Sequence, residues 1–413
     1  MKLVQINRND VIGGRFNGYA IRKALRDYDI DSTHLIWNAH TDDPQVKTFQ
    51  PFPGNRRFVN WATKLEKELS MHAMLQFNSF LTPLQKEFRE ADVVHYHIIH
   101  DGYFSLHALP WLTKLKPSVW TWHDPWPMTG HCIYPLDCDG WERTGCEPCP
   151  YLDRHFPMKE DKASEAFKTK QDIIAKSDVD IILASKWMMN MARRSPIGRN
   201  KRLHHVPFGL DLDLYKPRDK EAARRRFGIQ DGRVVIALRS IASIFKGLPN
   251  VVEALRLLET DVPITILAMQ EVGHFNEFIG KHQIIETGWV DDDDTMIDAL
   301  SAADIFAMPS TAEAFGLMAV EAMACGVPVV VFEGTSLPEV VFAPEAGLAA
   351  PMGDSKALAA CFKRLLEDRS EREARGRRSR ELAEEHYGEA LYTRRLAELY
   401  KAVASGETKR AAA

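Results

Sequence analysis

Two cations and two carboxylates in the second half of the chain have the types and spacing for work on a phosphorylated substrate. Arg239 and Lys246 stand seven positions apart, the lysine next to Gly247 and an apolar helical stretch. A pair of this kind can converge on phosphates, each charge-assisted hydrogen bond contributing on the order of 1.5–3 kcal/mol. Glu313 and Glu321 follow in the stretch Ser310–Phe332, STAEAFGLMAVEAMACGVPVVVF. Eight positions is about two turns at ~3.6 residues per turn. A carboxylate pair invites a general acid–base reading, whereas each charge taken singly reads as a cap or a solvated side chain.

The first half offers three further clusters. Gly13 and Gly14 lie between a strand-like run and Asn17–Leu25, which reads as a helix start; glycines there let backbone amides approach an anion. The fuller dinucleotide fingerprint G-x-G-x-x-G is missing. His97, His100 and Asp101 follow one apolar run, and His123 and Asp124 follow the next, as polar groups lining a crevice at strand ends would. Four of the six cysteines, Cys132, Cys138, Cys146 and Cys149, fall in one irregular stretch. The last pair has the C-x-x-C spacing of a zinc knuckle, and His123 or His131 could replace one thiolate. The alternative is reduced cysteines packed in a loop.

Short apolar runs bounded by turns must position these groups. Strands are expected at Lys2–Ile6, Thr33–Trp37, Val93–Tyr96, Val119–Trp122, Val179–Ala184 and Leu203–Val206, then at Val234–Leu238, Ile305–Met308 and Pro328–Phe332. Phe315–Cys325 has helical spacing and is closed by Gly326-Val327-Pro328. Strand–helix–strand units imply parallel sheets with right-handed crossovers. Pro207–Asp213 reads as a linker between two doubly wound domains. Arg56–Glu90 mixes aromatic and basic residues, as an amphipathic helix pair or a membrane- or acceptor-facing flap. Asp291–Asp294 reads as a helix cap rather than a metal cluster. The stretch after Glu339 reads as mostly helical, and Gly406–Ala413 as disordered.

With 413 residues, 45% hydrophobic and 27% charged, the chain suits a two-domain globular protein. Its balance of 53 basic and 57 acidic residues gives a net charge of −4 and no global attraction to nucleic acid. A first strand close behind Met1 and the lack of a long apolar run lead to the expectation of a cytoplasmic protein, with peripheral membrane contact left open.

Pro207-Phe208-Gly209-Leu210-Asp211, Arg239 with Lys246-Gly247, Gly288-Trp289-Val290 and Glu313-Ala314-Phe315-Gly316 through Glu321 to Val329 occur in that order. Together they resemble the retaining glycosyltransferases of family 4. The Gly130–Pro150 stretch resembles a subgroup among bacterial exopolysaccharide enzymes of the colanic-acid type. The resemblance implies an α/β protein of GT-B architecture, two Rossmann-like doubly wound domains facing a central cleft. The acceptor-side domain would be 1–208, completed by a C-terminal helix 389–405, and the nucleotide-sugar domain 209–388.

It implies a UDP- or GDP-sugar donor and a glycan or lipid-linked acceptor. Arg239 and Lys246 would hold the diphosphate, Glu321 the ribose and Glu313 the sugar. The amides of Phe315, Gly316, Leu317 and Met318 would face sugar and phosphate. From the first domain, Gly13 and Gly14 would meet the phosphates and His123 the sugar. The family's arginine–lysine spacing is often shorter than here. No catalytic metal is expected, because fixed cations and amides can stabilise the leaving diphosphate; a structural zinc on Cys132, Cys138, Cys146 and Cys149 is a separate expectation. Alternative readings are a nucleotide-sugar epimerase on the same fold and a non-catalytic zinc- or glycan-binding module.

Overall fold

The structure is a computed structural model and describes every residue except Ile12, His155 and Ala413, together with the side chains of Ala411 and Ala412. The chain divides into two compact units, Met1–Gly209 with Ala390–Ala413, and Leu210–Glu389.

Unit 1 is built on seven parallel strands: β1 Lys2–Asn9, β2 Asp31–Asn38, β3 Val46–Thr48, β4 Val93–Tyr96, β5 Ser118–Thr121, β6 Asp180–Leu183 and β7 Arg202–His205. Their order is β3-β2-β1-β4-β5-β6-β7. Unit 2 has six: β8 Val234–Ser240, β9 Ile264–Gln270, β10 Gln283–Glu286, β11 Ile305–Met308, β12 Val329–Phe332 and β13 Leu348–Ala350, in the order β10-β9-β8-β11-β12-β13. All described pairings are parallel. Helices on both faces explain the continuous apolar runs. Every residue of β4, β5, β6 and β12 is buried, and each large apolar side chain so buried stabilises by about 1.5–3 kcal/mol.

Strand order reverses between β1 and β4 in unit 1 and between β8 and β11 in unit 2. At such a switch point the two crossovers depart to opposite sides, leaving a crevice beyond the carboxyl ends of the strands. Gly13 follows β1 and His97 follows β4; Lys246 follows β8 and Glu313 follows β11.

Several elements depart from expectation. The segment after Gly14 forms two short 3-10 turns, Ala20–Arg22 and Ala24–Tyr28, in place of an α-helix. β3, β9, β10 and β13 lie in stretches that carried no strand reading; β3 and β13 are three residues each, too short to show a period. Residues 407–412 form a helix, with Lys409 Nζ 2.5 Å from an Asp178 oxygen, rather than a disordered tail. Asp292 caps the helix Asp293–Ala302 by accepting from the Thr295 amide at 2.7 Å. None of the described helices is long and apolar enough to cross a membrane.

Candidate active site

In unit 2, the loops after β8 and β11 are stitched to each other. Leu238 and Ala307 are register partners on the two strands. Beyond them the Thr311 amide donates to the Phe245 carbonyl at 3.0 Å, and its hydroxyl donates to the Ile244 carbonyl at 2.7 Å. The long arginine–lysine spacing is taken up by turns in which the Ser243 amide bonds Ile241 and the Lys246 amide bonds Ser243. Lys246 is thereby presented to Glu313, its Nζ 3.0 Å from Oε2. Gly247 has to be glycine: at φ +66°, an added Cβ would lie 1.9 Å from the Pro309 carbonyl oxygen.

Arg239 lies at the end of β8 and donates from Nε to Gln270 Oε1 at 2.5 Å. Burial pulls its pKa down, and the nearby Glu313 and Glu321 carboxylates push it back up. Glu321 sits on the helix Leu317–Ala324 and is only 2% exposed, so the solvated-carboxylate reading fails for it. A buried carboxylate close to an arginine is costly unless it has further polar partners. Structural residues with no assigned role in the sequence hold this arrangement. Ser336 donates its hydroxyl to the carbonyls of Glu313 and Phe315, at 3.0 and 3.2 Å, pinning the turn. Gln270 orients the guanidinium from a positive-φ backbone that the sequence does not announce.

The expected amide cradle begins later than Phe315. Gly316 is left-handed and the helix starts at Leu317, so the amides of Leu317 and Met318 belong to its open first turn. Phe315 is buried, with its ring edge-on to Tyr387.

In unit 1, Gly13 makes room for a ring: its φ is +73°, and a Cβ there would come within 2.4 Å of Phe16. Phe16 packs in turn on His123, ring centroids 5.2 Å apart. The Gly14 amide donates to the Val11 carbonyl at 2.9 Å, so an approaching phosphate has to displace that bond. His123 stacks on Phe208 and pairs through Nε2 with His97 Nδ1 at 3.2 Å. His97 Nε2 lies 2.9 Å from Gln5 Oε1. An amide oxygen only accepts, so His97 carries its proton on Nε2 and its Nδ1 accepts. His123 therefore donates from Nε2 and keeps its Nδ1 lone pair. Burial drives His97 well below the ordinary histidine value and His123 down to about 3, the latter lowering opposed by Asp124; both rings are neutral at pH 7. His100 and Asp124 form a separate pair at 3.3 Å.

The cysteine stretch folds as a loop between β5 and the helix Ala163–Lys176. Cys132, Cys138, Cys146 and Cys149 all line one small pocket. Within it the ligand atoms of His131, Cys132 and Cys149 lie within 4.8 Å of one another. The tightest cluster thus joins His131, one of the two histidines expected as a possible replacement for a thiolate, to two of the four expected cysteines. His123 is engaged with His97 and is not among the clustered ligands.

A family model described as glycosyl transferases group 1 matches residues 219–382. That stretch is similar to group 1 glycosyltransferase domains. Among curated relatives, a GDP-mannose-dependent monoacylated alpha-(1-6)-phosphatidylinositol monomannoside mannosyltransferase of Corynebacterium glutamicum is 28% identical over 53% of this chain and 61% of its own length. The putative colanic acid biosynthesis glycosyl transferase WcaC of Escherichia coli is 24% identical over 60% and 62%. The chain thus spans about three fifths of these relatives. Among solved structures, sucrose-phosphate synthase from Thermosynechococcus elongatus superposes with a TM-score of 0.68 at 16% identity, over 98% of this chain and 100% of that one. Anabaena HepE in complex with UDP-glucose gives 0.65 at 17%, over 97% and 100%. At such identities the likeness is one of fold, and the fold class is GT-B, two Rossmann-like units with parallel sheets.

Proposed function

We propose that the protein is a retaining glycosyltransferase that moves a sugar from a nucleoside-diphosphate donor to a hydroxyl of a glycan or lipid-linked acceptor, in surface polysaccharide synthesis. The observation that carries this reading is the meeting of Lys246, Glu313, Arg239 and buried Glu321 at the switch point of a group 1 domain. Arg239 and Lys246 take the diphosphate, Glu321 the ribose and Glu313 the sugar. The open first turn of the helix Leu317–Ala324 adds amides and a favourable dipole. Relatives named for GDP-mannose and a structural neighbour holding UDP-glucose support the donor class.

Cleavage of the sugar–phosphate bond builds negative charge on the departing diphosphate, and two fixed cations stabilise it without rearrangement. Retention then follows from front-face attack, the acceptor hydroxyl passing its proton to the leaving phosphate. In unit 1, His123 keeps an Nδ1 lone pair that can accept from a hydroxyl. A cavity of about 890 Å³ in that unit, rimmed by Arg8, Lys64, His72, Phe156 and Lys159, suits an acceptor that is part charged and part apolar.

A thermal-shift panel of UDP- and GDP-sugars tests the donor class, since a ligand that binds only the folded state raises Tm by mass action. Stabilisation by one nucleotide series is expected, and none with any nucleotide would sink the reading in favour of a binding module. Incubation with the donor alone separates transfer from epimerisation, because an epimerase converts it without an acceptor. The anomeric configuration of the product decides retention.

A further inference from the structure

We propose that the loop between β5 and the helix Ala163–Lys176 is a structural zinc site, with His131, Cys132 and Cys149 as three of its ligands. His131 Nε2 is 3.2 Å from Cys149 Sγ and 3.8 Å from Cys132 Sγ. A tetrahedral zinc with Zn–S of about 2.3 Å and Zn–N of about 2.0–2.1 Å sets nitrogen and sulfur about 3.5 Å apart. The two observed separations bracket that edge. Cys138 and Cys146 line the same pocket, and one of the two supplies the fourth ligand. Each accepts a backbone N–H, Cys146 from Gly130 at 3.2 Å and Cys138 from Gly140 at 3.4 Å. Such N–H···S bonds hold a thiolate in place for a metal, as second-shell contacts do elsewhere.

The loop needs such a fastening. Among the described residues between β5 and Ala163, regular structure amounts to the turn Trp126–Met128 and the single helical turn Gly140–Arg143. Its first part is held by buried Lys170, whose Nζ donates to the Trp126 and Thr129 carbonyls at 2.8 and 2.9 Å. The zinc fixes the rest, from His131 to Cys149. Because the loop departs from β5 through His123 and Asp124, the metal also steadies the backbone that carries His123. This last consequence rests on the proposed role of His123; the metal site does not.

Metal analysis of the purified full-length protein is expected to find about one equivalent of zinc. Cobalt exchanged into the wild type should show thiolate-to-cobalt charge-transfer absorption and the intense visible bands of a tetrahedral site. The variants C149S and H131A should each lose metal to a chelator at least tenfold faster, while C361S, altering a cysteine of the other unit, should behave as wild type. Less than a tenth of an equivalent of zinc, with no charge-transfer band after cobalt loading, overturns the site. An unchanged cobalt spectrum in H131A overturns its ligand set. Neither readout depends on transferase activity, so failure of the site and failure of the proposed function remain distinguishable.

Discussion

Lys246 Nζ rests 3.0 Å from Glu313 Oε2, although the two residues come from loops that follow different strands. Their side chains are 28% and 15% exposed, so the pair is accessible to a ligand. Each satisfies the other until a donor arrives, and the proposed donor splits them, phosphate to the lysine and sugar hydroxyl to the glutamate. As they stand, the two opposite charges offset one another.

Replacing Lys246 by alanine should therefore weaken nucleoside-diphosphate binding by about 10- to 150-fold, the equivalent of one charge-assisted hydrogen bond of about 1.5–3 kcal/mol. Folding stability should change by no more than about 1 kcal/mol, as for a partly exposed ion pair. Isothermal titration with the matching diphosphate, beside a urea melt, measures both. Unaltered affinity removes Lys246 from the site.

Glu313→Gln separates binding from transfer. The diphosphate alone should bind within a few-fold of wild type, because the glutamate is assigned to the sugar. Turnover of the intact donor should fall by at least tenfold, the scale of one lost charged hydrogen bond. Calorimetry with the diphosphate and an initial-rate assay with the sugar nucleotide make the comparison; normal turnover sinks the assignment.

Much of this arrangement was legible in the sequence, for an identifiable reason. β4, β5, β11 and β12 are buried on both faces, and their apolar runs are visible as such. Glu313 is a charge just beyond β11, and Arg239 and Lys246 are charges at and beyond the end of β8, another buried apolar run. Glu321 was legible as a position and not as a buried group, since one carboxylate on a helix looks the same whichever way the helix is turned. Gln270 and Ser336 gave no signal, because their roles depend on which loops meet in space. β3 and β13 are held by their neighbours, and three residues carry no period. The C-x-x-C spacing raised a metal site as an expectation with His123 or His131 as a possible ligand, and which histidine stands beside Cys132 and Cys149 is decided only by the fold.

The histidines of unit 1 predict acid sensitivity. Burial lowers His34 to about 4, and His72 and His123 to about 3, from an ordinary value of 6.5. Between those values and 6.5 the unfolded chain binds more protons than the folded one, so stability falls as pH falls through that window. Each such histidine contributes a slope of up to about 1.4 kcal/mol per pH unit. Eight of the nine tryptophans lie in unit 1, Trp289 being the other, so tryptophan fluorescence reports that unit. Its urea midpoint should drop between pH 7 and pH 5; a flat profile contradicts the neutral, buried rings.

Two glycines with the same backbone separate strain from crowding. Gly228 and Gly247 both have φ +66°, but a Cβ at Gly228 meets nothing within 4 Å. Gly228→Ala should cost the left-handed penalty alone, roughly 1–2 kcal/mol. Gly247→Ala adds a clash with the Pro309 carbonyl and should cost clearly more, with loss of diphosphate binding as Lys246 is displaced. Equal urea midpoints for the two variants would exclude the close approach as the reason for glycine at 247.

Glu321 is assigned to the ribose, and removal of the sugar hydroxyls tests that without removing the protein's charge. A 2′,3′-dideoxy diphosphate should bind the wild type about 10- to 150-fold more weakly than the ribonucleotide, the range for a hydrogen bond to a charged group. In Glu321→Gln the ribonucleotide should bind more weakly, and the gap between the two ligands should shrink. The two changes form a cycle in which the coupling, not the single loss, identifies the contact. Because Glu321 is 2% exposed and lies close to Arg239, the variant alone could weaken binding by disturbing the arginine. A disturbance of that kind lowers affinity for both ligands alike and leaves the gap intact. Only a direct contact with the ribose hydroxyls closes it, so a preserved gap in the glutamine variant assigns Glu321 to holding Arg239.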